Sequence, residues 1–259
     1  MPDTQPSPTI HTSADGLVAG TVDVPTADIA IPAYRARPAG AGPFPIVVVV
    51  PEIFGVHAHI ADVARRFARL GYLAVAPEPF VRQGDAHAIA EIETLVATVV
   101  SKAPDAQVMA DLDATVAWAV GDGGDAARLG MTGFCLGGRI TWLYAAHSAA
   151  LRAGVAWYGR LEGVANERQP VAPVGRAAAL RAPVLGLYGG EDTGIPLDSV
   201  ERMRAALRAG SAAAQQSEIV VYPGAKHAFH ADYRPAYDRT AAEDGWQRCL
   251  AWLRRHGVA

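Results

Sequence analysis

Gly133-Phe134-Cys135-Leu136-Gly137 sets a cysteine where strand-like residues 129–134 give way to a helical run that begins at Gly138. A nucleophile at such a strand-to-helix elbow stands clear of the backbone, and glycine on either side removes the Cβ atoms that a tight turn would crowd. Cys135 is therefore the candidate nucleophile, weighed against an ordinary buried thiol on a βα turn. Two more loops carry chemistry. Gly189-Gly190-Glu191-Asp192-Thr193-Gly194 follows the apolar run 184–188, and Pro223-Gly224-Ala225-Lys226-His227-Ala228-Phe229 follows the run 219–222. A thiol attacks an acyl carbonyl as thiolate, so it needs a base and a site for the oxyanion. His227 can be that base, with Asp192 fixing its tautomer and stabilising the imidazolium. The backbone N–H groups of Leu136, at a helix start, and of Ile53, in the loop after strand-like residues 46–50, are the expected oxyanion donors.

These groups need a scaffold that brings strand ends together. Residues 21–24 and 29–37 read as a hairpin, and the β-branched run 46–50 as a strand buried on both faces. Helices are expected at 59–70, 87–100, 106–120, 198–209 and 239–256, with the third amphipathic through Leu112, Val116 and Val120. Strands are expected at 72–76, 129–134, 154–158, 184–188 and 218–222. This alternation predicts a mostly parallel sheet with right-handed crossovers and helices on both faces. In such sheets catalytic groups gather at the carboxyl ends of the strands. The order nucleophile, acid, histidine is that of the α/β-hydrolases. Residues 160–181 form a long loop, either a lid or a surface excursion.

The 259 residues are 51% hydrophobic with a net charge of −3, which suits one α/β domain over 14–259 after a polar lead-in, 1–13, expected to be ill-ordered. Without a Lys/Arg cluster there is no footprint for nucleic acid or an anionic membrane. No basic-then-apolar start and no apolar run of about 18 residues appear, so a cytoplasmic protein is expected. The two cysteines, Cys135 and Cys249, make no disulfide framework, and Cys249 reads as a packing residue of the last helix. His57-Ala58-His59 comes nearest to a metal pair, but i,i+2 neighbours diverge on a helix, so no metal is expected.

Glu52-Ile53-Phe54-Gly55-Val56-His57, Gly71-Tyr72-Leu73-Ala74-Val75-Ala76-Pro77-Glu78 with Val81-Arg82-Gln83, the Cys135 elbow, Gly189-Gly190-Glu191-Asp192 with Pro196, and the His227 loop occur in order from about residue 46 onward. Together they resemble the dienelactone hydrolase family of α/β-hydrolases. The resemblance implies that fold, a Cys135–His227–Asp192 triad, and hydrolysis of enol lactones or small carboxylic esters through an acyl-enzyme. It also implies no cofactor, and oxyanion donation by Ile53 and Leu136. In that family a glutamate beside the cysteine takes part, and Glu52 matches it. A carboxylate near a thiol disfavours the thiolate, so Glu52 is expected to hold Cys135 neutral until substrate disturbs the contact; pairing of Glu52 to Arg139 or Arg82 is the structural alternative.

Two departures bear on the substrate. The family arginine four residues after the histidine is Ala231 here, beside His230, and residues 85–93 hold no arginine where the family has another. Pro51, before Glu52, is a smaller departure. Arg82, Trp157, Tyr158, Arg160 and His230 are the candidate pocket residues. Neutral esters should be hydrolysed at least as well as carboxylate-bearing lactones unless Arg82, Arg160 or His230 holds the anion. The competing readings are a general carboxylesterase or thioesterase, a non-catalytic binding homologue, and a redox-sensing thiol. The partner expected is a small lactone or ester, and the protein a monomer or small homo-oligomer.

Overall fold

Phe44–Val50 is the strand around which the sheet is built: the run Ile46–Val50 is buried throughout, as a β-branched sequence covered on both faces requires. The computed structural model describes residues 9–163 and 165–259. In chain order the strands are β1 (Leu17–Pro25), β2 (Ala30–Pro38), β3 (Phe44–Val50), β4 (Leu73–Pro77), β5 (Gly124–Phe134), β6 (Ala153–Trp157), β7 (Val184–Gly189) and β8 (Glu218–Tyr222). They make one sheet in the order β1-β2-β4-β3-β5-β6-β7-β8. β1 and β2 form the antiparallel hairpin, β2 also runs antiparallel to β4, and every later pairing is parallel.

The helices are α1 (Ala58–Arg69), α2 (Ile92–Thr98), α3 (Asp105–Gly121), α4 (Leu136–His147), α5 (Leu197–Arg208), α6 (Ala212–Gln215) and α7 (Arg239–Arg255). They cover both faces, as β5 shows. A side chain built on Gly130 would meet Leu253 of α7, whereas one on Gly133 would meet Thr141 of α4. Residues three apart on a strand point to opposite sides, so α4 and α7 flank the sheet from either face. The alternation of strand and helix in the sequence thus corresponds to an α/β sheet with flanking helices. Among the described residues no helix is long and apolar enough to cross a membrane.

Several elements depart from the sequence expectation. The stretch 87–100 is not one helix: a short 3₁₀ turn at Ala86–Ala88 precedes α2, and another at Val100–Lys102 follows it. Carboxylates start the first two of these elements, since Asp85 accepts from the His87 N–H and Glu91 from those of Glu93 and Thr94. On α3 the buried face is Val108, Asp111, Leu112, Thr115 and Ala119, and Val120 is 40% exposed. Asp111 turns inward because Arg82 meets it there, Nη1 to Oδ2 at 2.7 Å, which an apolar count cannot see. The long loop 160–181 contains a 3₁₀ segment, Pro173–Ala179. Of the lead-in, 1–8 lies outside the described residues. Residues 9–13 are tethered: the Ile10 N–H donates to Asp232 at 2.9 Å and Arg65 donates to the Thr12 carbonyl at 2.7 Å.

Candidate active site

Four parallel strands end at one rim and deliver four side chains there: Glu52 just after β3, Cys135 at the end of β5, Asp192 beyond β7 and His227 beyond β8. Cys135 caps α4 with φ 54° and ψ −111°, a conformation that costs a non-glycine residue of order 1–3 kcal/mol and that surrounding structure must enforce. Gly137 permits the enforcement. A Cβ there would collide with the carbonyls of Val50 and Pro51, so only glycine lets α4 start against the end of β3.

Cys135 Sγ lies 3.2 Å from His227 Nε2, and His227 Nδ1 lies 2.7 Å from Asp192 Oδ2. Asp192 is buried and its other oxygen accepts from the Gly194 N–H at 2.9 Å, which fixes the carboxylate. Burial alone would push the His227 pKa down. The Asp192 hydrogen bond and the contact with the sulfur outweigh it and raise the imidazole to about 10. Ile53 and Leu136 border the same cavity. Leu136 is the first residue of α4, so its N–H has no acceptor a turn earlier, and the Ile53 N–H meets no acceptor among the described residues.

Glu52 is buried beside this cavity but pairs with neither arginine named as its structural alternative. Arg139 forks onto Asp105 at 2.7 and 2.8 Å, and Arg82 is held by Asp28 and Asp111, both at 2.7 Å. Glu52 Oε2 instead accepts from the Tyr233 hydroxyl at 2.6 Å and lies 3.2 Å from His57 Nε2, while Oε1 has no partner among the described residues. Burial would raise its pKa, yet these two hydrogen bonds more than offset that and keep Glu52 below its ordinary value. The Tyr233 hydroxyl is raised in turn, by burial and by the carboxylate.

Of the five candidate pocket residues, Tyr158 and Arg160 border the cavity and three do not. Arg82 is committed to its two aspartates, Asp28 and Asp111. Trp157 is fully buried and donates its indole N–H to Thr132 at 3.0 Å. His230 is sealed in the core against Phe134 and Trp157, with ring centroids 5.1 and 4.5 Å away, and burial drives its pKa well below the ordinary value. His57, Tyr233 and Arg234 belong to the site although none was named as a site residue, His57 having been weighed only as a metal ligand. His57 sat inside the Glu52 motif, whereas Tyr233 and Arg234 lie in an aperiodic loop that offers no pattern. Arg234 rests over the Phe54 ring at 5.5 Å. No cluster of three or more potential metal ligands occurs among the described residues.

A mostly parallel sheet with a glycine-flanked strand-to-helix elbow after β5, an acid after β7 and a histidine after β8 has the architecture of the α/β-hydrolase class. Residues 31–257 match the model of the dienelactone hydrolase family, and the chain belongs to that family. Membership makes it a hydrolase of carboxylic ester bonds, lactones included. It is 60% identical over 252 residues to a protein of Methylorubrum extorquens named "Putative carboxymethylenebutenolidase", covering 97% of this chain and 86% of that one. An Escherichia coli K12 protein of the same name is 55% identical over 249 residues, covering 96% and 91%. A Klebsiella pneumoniae crystal structure titled "Putative Dienelactone Hydrolase" superposes with a TM-score of 0.89 at 57% identity, over 92% of this chain and 99% of that one.

Proposed function

We propose that this chain hydrolyses enol lactones or small carboxylic esters through an acyl-enzyme on Cys135. The observation that carries the proposal is the continuous relay from Asp192 Oδ2 to His227 to Cys135 Sγ, with steps of 2.7 and 3.2 Å, opening on a cavity. His227 takes the thiol proton as sulfur attacks the carbonyl carbon, and the Ile53 and Leu136 N–H groups receive the developing oxyanion. Collapse expels the alkoxide or enolate, protonated by His227, and leaves the thioester. Water, deprotonated by the same imidazole, then releases the acid and restores the thiol.

Glu52 borders the same cavity as the thiol and carries a fixed negative charge, held ionised by Tyr233 and His57. In the resting enzyme it opposes ionisation of Cys135 and so guards the sulfur against oxidation. The charges around the cavity bear on the substrate. Glu52, Asp192 and Glu162 are each engaged, by Tyr233, His227 and Arg202, and Arg139 is matched by Asp105. Arg160 and Arg234 are the cavity guanidiniums without a carboxylate partner among the described residues. They support a substrate that carries a carboxylate, recognised from positions other than residues 85–93 and 231.

Incubating the protein with p-nitrophenyl acetate tests the chemistry. Cys135→Ala should abolish hydrolysis while keeping the fold, and mass spectrometry of the wild type during turnover should find an acetyl group on the Cys135 peptide. Activity of Cys135→Ala within a few-fold of the parent would remove the covalent mechanism.

A further inference from the structure

α2 and the turn that follows it carry two apolar stripes where docking needs one. Leu95 and Val99, four residues apart, are buried in the core. Ile92, Val96 and Val100 repeat at the same spacing on an adjoining face, and all three border the cavity that holds Cys135 and His227. Val100 is nearly buried, but Ile92 is 44% exposed and Val96 40%. A surface helix ordinarily turns one stripe inward and polar residues outward, so a second stripe left in water forgoes the free energy its burial would supply. Its direction is fixed, because Glu91 caps α2 through the N–H groups of Glu93 and Thr94. Leu136 and Val171 border the same cavity.

The cavity volume is about 560 Å³. Sites of roughly 300–1,000 Å³ enclose drug-sized ligands, and a five-membered lactone ring with a short substituent fills only a fraction of such a space. We infer that Ile92, Val96 and Val100 form a specificity-determining wall that receives an apolar group of the substrate, so that the enzyme favours esters or lactones bearing a hydrocarbon group of butyl size or larger. The inference rests on the Cys135-centred reading of the site and adds a substrate class to it. The wall is continuous with the reacting centre, which makes substrate, rather than a second copy of the chain, the group that covers it.

The test measures kcat/KM for two ester series with the full-length protein. One lengthens the acyl group, from p-nitrophenyl acetate through butyrate to hexanoate; the other lengthens the alkoxy group, from ethyl through butyl to hexyl acetate. In at least one series kcat/KM should rise about threefold to fourfold per methylene as each is buried. In Ile92→Ser/Val96→Ser the ratio of longest to shortest ester should fall about tenfold or more, and Ile92→Leu/Val96→Leu should restore it. Both side chains are exposed, so the double variant should melt near the parent; if it does not fold, Val96→Thr alone must lower the same ratio. Flat or falling rates in both wild-type series, or a rise that survives the double substitution, overturn the inference. A shifted elution volume with the chain-length dependence intact would make the stripe a contact between copies and also overturn it. The underlying reading fails separately: hydrolysis that persists in Cys135→Ala removes the mechanism. Hydrolysis that vanishes with Cys135 but ignores chain length removes only the wall.

Discussion

His227 is held by two contacts, Asp192 and the Cys135 sulfur, that both favour its protonated form. Burial lowers its pKa, but Asp192 first and the sulfur second raise it to about 10, so the imidazolium formed when the thiol proton passes to His227 keeps that proton well above neutrality. In the proposed mechanism, loss of that proton removes the acid that protonates the leaving group, so an alkaline limb of kcat/KM is expected near that pH. Asp192→Asn deletes the principal raising contact, so the limb should move toward neutrality and kcat should fall roughly 10²–10⁴-fold. A pH–rate profile of the two proteins decides this, and an unmoved limb would detach Asp192 from His227. The same shift has a stability counterpart. A raised pKa contributes stability that is complete below about 6.5 and lost as pH rises through about 10. The gap in urea stability between parent and Asp192→Asn should therefore narrow from neutral to alkaline pH.

Glu52 and Tyr233 permit a test that leaves the triad untouched. Replacing Glu52 by Gln removes the fixed charge that borders the same cavity as Cys135, so alkylation of the thiol by iodoacetamide at neutral pH should quicken. One pKa unit of relief corresponds to about 1.4 kcal/mol, or tenfold in thiolate population. Tyr233→Phe removes the 2.6 Å hydrogen bond to the carboxylate and should change the rate less than Glu52→Gln does. If Glu52→Gln alkylates no faster than the parent, the glutamate is structural. The glutamate was legible in the sequence as a motif position, and the tyrosine was not. Tyr233 reaches Glu52 across 181 residues from a loop without periodicity, and no local rule predicts such a contact.

At the level of elements, the strands were readable and the directions of side chains on them were not. β-branched runs announced β3 and β8, and the elbow announced the start of α4, because burial on both faces and a tight turn each impose composition. Trp157 and Tyr158 are neighbours, and one faces the core while the other borders the cavity; successive side chains at a strand end alternate, and the phase follows from register with β5. The elbow itself yields a prediction. Gly137→Ala places a methyl against the carbonyls of Val50 and Pro51, both backbone atoms that cannot swing aside. The start of α4 must then shift, carrying the Leu136 N–H away from Ile53. Stability should fall by about 1–3 kcal/mol, and kcat by more than that loss of fold explains. Thermal melts and rates on the same sample separate the two effects; full activity at the parent melting temperature would show that α4 has room to start elsewhere.

Across the whole molecule, the loop that carries His227 and Tyr233 is tied to the opposite end of the chain. Asp232 is buried, with one oxygen 2.9 Å from His59 Nδ1 and the other accepting from Arg66 at 3.3 Å and from the Ile10 N–H at 2.9 Å. Asp62, on the same helix as His59, accepts from Arg65 and Arg66 at 3.1 and 2.6 Å. Burial raises the Asp232 pKa and these partners lower it further, so its net shift is downward. The stability it contributes is present above the ordinary carboxylate value near 3.8 and is lost as pH falls below it. Removing one member of a buried ion network strands the others without a counter-charge, at about 3–5 kcal/mol. Asp232→Ala should therefore lower the melting temperature by roughly 6–20 °C in a domain of this size. Asp28→Ala, at an exposed pair with Arg82, should shift the melt far less. Because Asp232 precedes Tyr233, the variant should also loosen Glu52 and speed iodoacetamide alkylation of Cys135 below the melting range. A variant that melts early but alkylates at the parent rate would confine Asp232 to the scaffold and leave Tyr233 positioned by its own loop.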